Sequence, residues 1–390
     1  MVVLNTLDPD PRVWREAESL SCHGHRVVVL AQRSKDQKKI ERAGGFIVFR
    51  LFDRSPYGPN PWRTSAVWLS FLSFVFSRKR KTFSVVHCHD AETLPLGRIL
   101  SRRDGAKVVY DAHELFFDYI PTGRYSRSRW RKLKSRVLRR IMSLIEKRNI
   151  AKCQLVLTVN SSLSRMIQDR YGLADPPVFL YNARKYVTVA KTSYLRKKLN
   201  IPPEGRILFY QGAIRPDREI EKMIEILPPL GRGWFLVVAG QVSPPDYLDH
   251  LFGLADSLQV RDRFRYGGFL DYEKELLMAT ASADIGCFLL PPTNLTYRYS
   301  LANKLFDYVM AEIPMVVSDL PEMTTFIEKH GVGISVGLNR QREIAETIRN
   351  CVENRAVHSA FVGNIRKAKK ELCWERQEPK LMAAYQKLLS

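Results

Sequence analysis

The sequence of 390 residues is short of three things, and each shortage narrows what it can be. Cysteine comes first. There are six, Cys22, Cys88, Cys153, Cys287, Cys351 and Cys373, with no CxxC pair among them. That spacing excludes a disulfide framework and a thiolate zinc site, and fits reduced, mostly buried thiols. Long apolar runs are missing too. The longest, Ala66 to Phe76, is about half of the ~20 residues that a spanning helix needs. The opening residues, MVVLN, lack the basic start and apolar stretch of a signal peptide, so a cytoplasmic chain is expected. Acid is scarce in the first half only. Residues 1–200 hold 39 Lys/Arg against 16 Asp/Glu, whereas 201–390 hold 23 against 24. The net charge of +22 therefore belongs to one half, which excludes a uniformly basic protein and suggests halves with different partners. There is also no short repeat, no low-complexity segment and no Ser/His/Asp or Cys/His nucleophile signature.

What is present is enough apolar material, 45% of residues, to bury more than one core. Short β-branched runs alternate with helix-period segments: VVLN (2–5), RVVVL (26–30), FIVFRL (46–51), SVVHC (84–88), KVVYD (107–111) and LVLTV (155–159) read as buried parallel strands. A polar stretch follows, ending in Pro-Pro-Glu-Gly. A second series then runs through ILFYQG (207–212), WFLVVAG (234–240), RFRYGGF (263–269), ADIGCFL (283–289), PMVVSD (314–319) and GISV (333–336). The expectation is α/β, two doubly wound Rossmann-like domains. The boundaries read as 1–190, a linker over 191–205, 206–373, and a last helix over 374–390 that either returns to the first domain or stands apart.

Specific motifs sharpen this. DPRVWREAESLSCHGHRVVVLA (10–31), VVHCHDAETLPLG (85–97), VVYDAHELF (108–116), LTVNSSLSRMI (157–167) and LYNAR (180–184) come in order. ILFYQGAIRPDREIEKMIE, FLVVAGQ and YRYSLANKLFDYVMAEIPMVVSDLPEM (297–323) follow in the second half. Together they resemble the retaining glycosyltransferases of family 4 over nearly the whole chain. The resemblance implies a GT-B fold, two domains facing across a cleft, with the acceptor on the first and a nucleotide-sugar on the second. It implies metal-independent, retaining transfer of a hexose-type sugar from a UDP- or GDP-linked donor, with no cofactor. In such transfer the leaving diphosphate helps deprotonate the incoming hydroxyl, and the enzyme orients groups and stabilises charge.

Carried over by position, the resemblance places Gly212 and Arg218 at the diphosphate, where a guanidinium fork suits phosphate oxygens. The family's Arg after the glycine is Ala213 here, with Arg215 as a nearby substitute. Asp307 stands where a ribose-binding Glu is usual, and Tyr299 where the family often has a second Glu eight residues earlier. Ser300 and Asn303 offer groups to the sugar or phosphates, and Lys304 helps neutralise the diphosphate. Glu312 replaces a common Gly. In the first half, His113 falls at a strand's C-terminal end, where α/β sheets place ligands. Its implied job is a hydrogen bond to the sugar or phosphate rather than proton abstraction. Asp10, Arg12 and His89 lie near the mouth of the expected cleft. For Asp10 a helix-capping role is the equal alternative. For His87 and His89, an HxH pair, the alternatives are a metal, with no third ligand visible, or a packed strand end.

The positive charge has its own pattern. Residues 121–150 carry eleven Lys/Arg and one Glu. Trp130, Leu133, Val137, Ile141 and Leu144 recur at helical spacing, flanked by Arg127, Arg131, Lys132, Lys134, Arg139 and Arg140. That composition suits either an anionic membrane surface or an apolar face packed on the sheet with solvated charges. A second apolar run, Trp62–Lys81, ends in four basic residues. Nucleic acid is the weaker partner, since no recognition module is visible. The expectation is a peripheral enzyme on the inner face of a membrane, acting on a lipid-linked or polysaccharide acceptor in envelope glycan assembly. Its rivals are a nucleotide-sugar epimerase or hydrolase of the same fold, and a non-catalytic basic binding protein.

Overall fold

The computed structural model describes residues 1–8, 10–34, 36–53, 61–79, 82–118 and 129–390, with backbone alone at 52–53, 61–67, 129, 131–132 and 134–135. The chain divides into two compact units, Met1–Tyr181 with Gln377–Ser390, and Asn182–Arg376. The division falls at Tyr181/Asn182 rather than at residue 190, and 191–205 belong to the second unit.

In the first unit the strands are β1 (Val28–Arg33), β2 (Ile40–Ala43), β3 (Phe46–Asp53), β4 (Val85–His89), β5 (Lys107–Ala112), β6 (Leu155–Thr158) and β7 (Val178–Phe179). Its helices are α1 (Pro11–Cys22), α2 (Pro61–Phe76), α3 (Leu94–Asp104), α4 (Arg129–Ile150) and α5 (Ser161–Tyr171). One group of strands runs β1-β3-β2 and the other β4-β5-β6-β7. Val2 joins them, bridging Leu30 and Cys88 in parallel, so the expected 2–5 strand is reduced to one residue. With Val2 counted as a strand, the parallel order β3-β1-Val2-β4-β5-β6 is that of a dinucleotide-binding half-pair, reversing direction at Val2. β2 pairs antiparallel with β3 through Gly44-Gly45, a hairpin absent from the sequence expectation.

The second unit contains α6 (Tyr194–Leu199), β8 (Arg206–Gln211), α7 (Ile220–Leu230), β9 (Trp234–Ala239), α8 (Tyr247–Ser257), β10 (Phe264–Tyr266) and α9 (Leu276–Ala281). It continues with β11 (Ile285–Phe288), α10 (Leu295–Arg298), α11 (Asn303–Met310), β12 (Met315–Ser318), α12 (Pro321–His330), β13 (Gly333–Val336), α13 (Gln341–Glu353) and α14 (Arg355–Ala368). The last helix, α15 (Trp374–Leu389), starts in this unit and ends in the first. The six strands run β10-β9-β8-β11-β12-β13, all parallel. β9 is buried at every position, as a strand covered on both faces must be. The order reverses between β8 and β11, so a ligand is expected beyond the C-terminal ends of those two strands.

Candidate functional site

In the second unit, β8 ends at Gln211 and leads into Gly212, with φ +124°. Gly240 after β9 has φ +145°, and a Cβ there would overlap the Gly212 carbonyl oxygen. The two backbones approach so closely that only glycine fits. A Cβ on Gly212 itself would come within 2.9 Å of Lys304 Nζ. That nitrogen lies 4.0 Å from the Phe288 ring centroid and 4.8 Å from that of Tyr210. Burial, then repulsion from Arg218, holds its pKa well below the usual lysine value.

Arg215 and Arg218 stand in the turn that follows. Arg215 donates to Asp217 through Nε and Nη2, at 3.0 and 2.7 Å. Arg218 places its guanidinium 5.0 Å from the Tyr297 ring centroid, and its Nε is buried without a hydrogen-bond partner. Among the described residues neither Arg218 nor Lys304 forms an ion pair: Arg218 acts on Asp217 only through space, and Lys304 is held toward its neutral form at the reversal point of the sheet.

Asp307 lies within α11 and is 4% exposed. Arg184 Nη1 reaches one oxygen at 3.3 Å and Gln211 Nε2 the other at 2.7 Å. Tyr299 caps the end of α10 beneath the Arg298 guanidinium. Ser300 closes the turn with its N–H on the Tyr297 carbonyl, and Asn303 opens α11. The aromatic residue that meets both arginines is Tyr297, two positions before Tyr299, where the family's spacing pointed. Its signal in the sequence was an aromatic side chain in the loop after β11, and nothing in that loop marked it over Tyr299.

Glu312 explains its own departure from glycine. Its φ is +59°, so the position does demand the left-handed region. The cost of a side chain there is offset by ion pairs at 2.9 Å to Arg366 and to the buried Lys369.

In the first unit the polar residues gather at the ends of β4 and β5. Arg12 is 1% exposed and donates Nε and Nη2 to Asp111 at 2.7 and 2.8 Å, and Nη1 to the Leu180 carbonyl at 2.8 Å. It is an interior tie between α1 and the strands, which corrects its placement at a cleft. His89 is likewise buried, stacked on His87 at 4.4 Å. His87 meets the hydroxyl of Tyr385, on α15, at 2.8 Å. Asp10 caps α1, accepting from the Val13 N–H at 3.3 Å and from Asn5 at 2.8 Å. The capping alternative is the one its geometry satisfies.

The HxH pair acquires neighbours invisible in sequence. Glu16, His87, His89 and Asp111 each offer a donor atom within 4.8 Å of the others, a donor set with divalent-metal chemistry. Yet the Arg12 guanidinium already serves as the cation there, bidentate on Asp111 and 3.1 Å from Glu16. Burial and then Asp111 push the Glu16 carboxyl up to about 8, so near neutral pH it is held mainly as the acid.

His113 reaches out of this cluster. Its Nε2 lies 2.9 Å from Asp111 Oδ2, and its backbone N–H donates to Asp90 Oδ1 at 3.3 Å. Burial alone would lower its pKa, but the carboxylates of Asp90 and Asp111 outweigh it and push it up to about 10. A histidine held as imidazolium donates and cannot act as a base. Asp90, absent from the sequence expectation, has φ +65° and ψ 158°, a region nearly reserved for glycine. Such strain marks a position that surrounding structure holds in place.

α4 turns two faces outward and inward. Met142, Glu146 and Ile150 are buried, and Glu146 accepts from Tyr110 and Tyr171 at 2.7 and 2.6 Å. Trp130, Leu133, Val137, Ile141 and Leu144 lie on the opposite side and are exposed, Trp130 at 81%. Arg139 and Arg140 are exposed beside them. The side chains of Arg131, Lys132 and Lys134, and all of 121–128, lie outside the described residues. No helix among the described residues is long and apolar enough to cross a membrane.

These two parallel sheets have the architecture of the GT-B glycosyltransferases. Over 100% of this chain and 98% of the other, the fold is similar to a sucrose-phosphate synthase from Thermosynechococcus elongatus, with TM-score 0.76 and 17% identity. It is similar to HepE from Anabaena in complex with UDP-glucose, at TM-score 0.74, 14% identity and 99% of both chains. A third likeness is to WaaG, a glycosyltransferase involved in lipopolysaccharide biosynthesis, at TM-score 0.70, 17% identity and 98% of both chains. The sequence matches Glycosyltransferase Family 4 over residues 12–184 and Glycosyl transferases group 1 over 192–368. The chain belongs to this glycosyltransferase family, whose chemistry is sugar transfer from a nucleotide-sugar. No curated protein matches it.

Proposed function

We propose that the protein is a retaining, metal-independent hexosyltransferase that uses a UDP- or GDP-linked donor and a lipid-linked or polysaccharide acceptor. The observation that carries this is the pair of basic side chains without an ion pair, Arg218 and Lys304, beside the Gly212–Gly240 contact at the reversal of the second sheet. A diphosphate brings the negative charge those side chains lack, favours the protonated form of Lys304 and meets backbone N–H groups at close range. Arg215 assists from its pair with Asp217. Asp307, with Gln211 and Arg184, forms the wall that the ribose meets. In the first unit, the His113 imidazolium donates to the sugar or phosphate, and Asp90 orients the acceptor hydroxyl. The complex of HepE with UDP-glucose makes UDP the first donor to test.

The acceptor reading rests on α4. A helix that buries one face and leaves a second apolar stripe in solvent, flanked by arginines, suits insertion into an anionic bilayer interface. This supports peripheral attachment to a membrane surface, and the likeness to WaaG, a glycosyltransferase involved in lipopolysaccharide biosynthesis, supports envelope glycan assembly as the setting.

Two experiments test the reading. In a thermal-shift panel of UDP, GDP and their sugars, one nucleotide family should raise the melting temperature, a bound ligand at a hundred times its Kd adding about 2.7 kcal/mol. No shift with any member contradicts the donor assignment. In liposome flotation the protein should rise with anionic vesicles and not with neutral ones, and Val137→Asp with Ile141→Asp should abolish it. Equal recovery on both vesicle types contradicts the electrostatic reading.

A further inference from the structure

Tyr297 has no role in the donor reading so far, yet it touches every part of the arginine turn. It sits on α10, whose cap Asn294 accepts from the Tyr297 N–H at 2.8 Å. Its hydroxyl donates to Asp217 Oδ2, and Arg215 Nη2 reaches the same hydroxyl at 3.3 Å. Asp217 in turn holds Arg215 through two bonds. The ring faces the Arg218 guanidinium at 5.0 Å. One side chain from the loop after β11 thus joins both arginines of the loop after β8.

The choice of an aromatic has a physical reason. A carboxylate against Arg218 would fix the guanidinium but cancel the charge a phosphate needs. A ring face attracts the guanidinium and leaves its full charge, with its N–H fork open for phosphate oxygens. Asp217 is bonded to Arg215 and acts on Arg218 only through space, so Arg215 is the arginine whose charge is shared more. Without the ring, Arg218 would have to be ordered at the moment of binding, against the rotamer entropy an arginine carries.

We propose that Tyr297 is a positioning residue of the donor site, presetting Arg218 through its ring and Arg215 through its hydroxyl and Asp217, in the arrangement that a nucleoside diphosphate meets. This rests on the reading that the two arginines receive the diphosphate.

The test is calorimetric binding of UDP and UMP, and of GDP and GMP, to the full chain, Tyr297→Phe, Tyr297→Leu and Arg218→Ala. The quantity read is the preference for diphosphate over monophosphate with the base that binds wild type better. Loss of the hydroxyl in Tyr297→Phe should reduce that preference by about threefold, and loss of the ring in Tyr297→Leu by about tenfold. Monophosphate affinity should stay within about twofold of wild type in both. A merely structural tyrosine would lower both nucleotides together, and that result overturns the proposal. If Arg218→Ala collapses the preference while both Tyr297 variants keep it, the proposal falls and the donor reading stands. If Arg218→Ala keeps it, or neither diphosphate binds, the donor reading falls and takes the proposal with it. Tyr297→Phe removes one oxygen only and serves the test alone if Tyr297→Leu does not fold.

Discussion

Replacing Arg12 by Met separates an interior tie from a ligand contact. The guanidinium makes three bonds of 2.7–2.8 Å, two to Asp111 and one to the Leu180 carbonyl, all within the first unit. Met keeps most of the volume and none of the donors. Asp111 is then left as a buried carboxylate whose main counter-charge is gone. Breaking a buried pair from one side costs about 3–5 kcal/mol. With a urea m-value of about 3 kcal/mol per M, the midpoint of the affected transition falls by about 1–1.7 M. Two units need not unfold together, so the assay is equilibrium urea unfolding followed by fluorescence and circular dichroism, with each transition fitted separately. Arg12→Lys serves as control and recovers only part of the loss, because an ammonium does not reproduce the bidentate fork. If Arg12→Met leaves every midpoint within about 0.2 M of wild type while sugar transfer is abolished, the interior assignment is wrong and Arg12 acts on a ligand.

Further outcomes follow from other parts of the structure. Glu312→Gly restores the residue usual in the family and removes a strained φ of +59°, yet it strands the buried Lys369, so it should destabilise by about 2 kcal/mol in a melt. Gly240→Ala should abolish nucleotide binding in calorimetry, because its Cβ would overlap the Gly212 carbonyl. Lys304 has a depressed pKa in the free protein, and a bound diphosphate raises it. Donor binding should therefore take up protons and weaken as pH rises through the bound-state pKa. Calorimetry in buffers of different ionisation enthalpy reads that uptake, and Lys304→Met should abolish it. For His113, a folded pKa of about 10 against a usual 6.5 means its contribution to stability is full at low pH and is lost as pH rises toward 10. His113→Gln should flatten that loss in a pH series of melts.

Much of the fold was legible because parallel strands covered on both faces announce themselves as apolar runs. β8, β9 and β12 fall where ILFYQG, WFLVVAG and PMVVSD stand. The β2–β3 hairpin was missed because Ile40–Ala43 is a half-exposed edge with charged residues and no apolar run. The first site was harder. Whether Arg12 faces ligand or interior depends on Asp111, 99 residues away, and no local pattern reports that distance. The HxH pair likewise hid its neighbours Glu16 and Asp111, which come from α1 and β5. In α4 the spacing correctly marked an apolar stripe, but it could not say which of two faces the domain covers. The buried one is Met142, Glu146 and Ile150, where a carboxyl bonded to two tyrosines passes for a polar position.

The most direct test of the central claim is transfer itself. Purified protein is incubated with radiolabelled UDP- and GDP-hexoses, with and without a lipid extract, and nucleotide release and labelled lipid are both followed. The account predicts release that depends on the extract, label in a lipid or glycan product, and loss of both in Arg218→Ala. Release or donor interconversion that proceeds equally without acceptor, or is unchanged in Arg218→Ala, would contradict it.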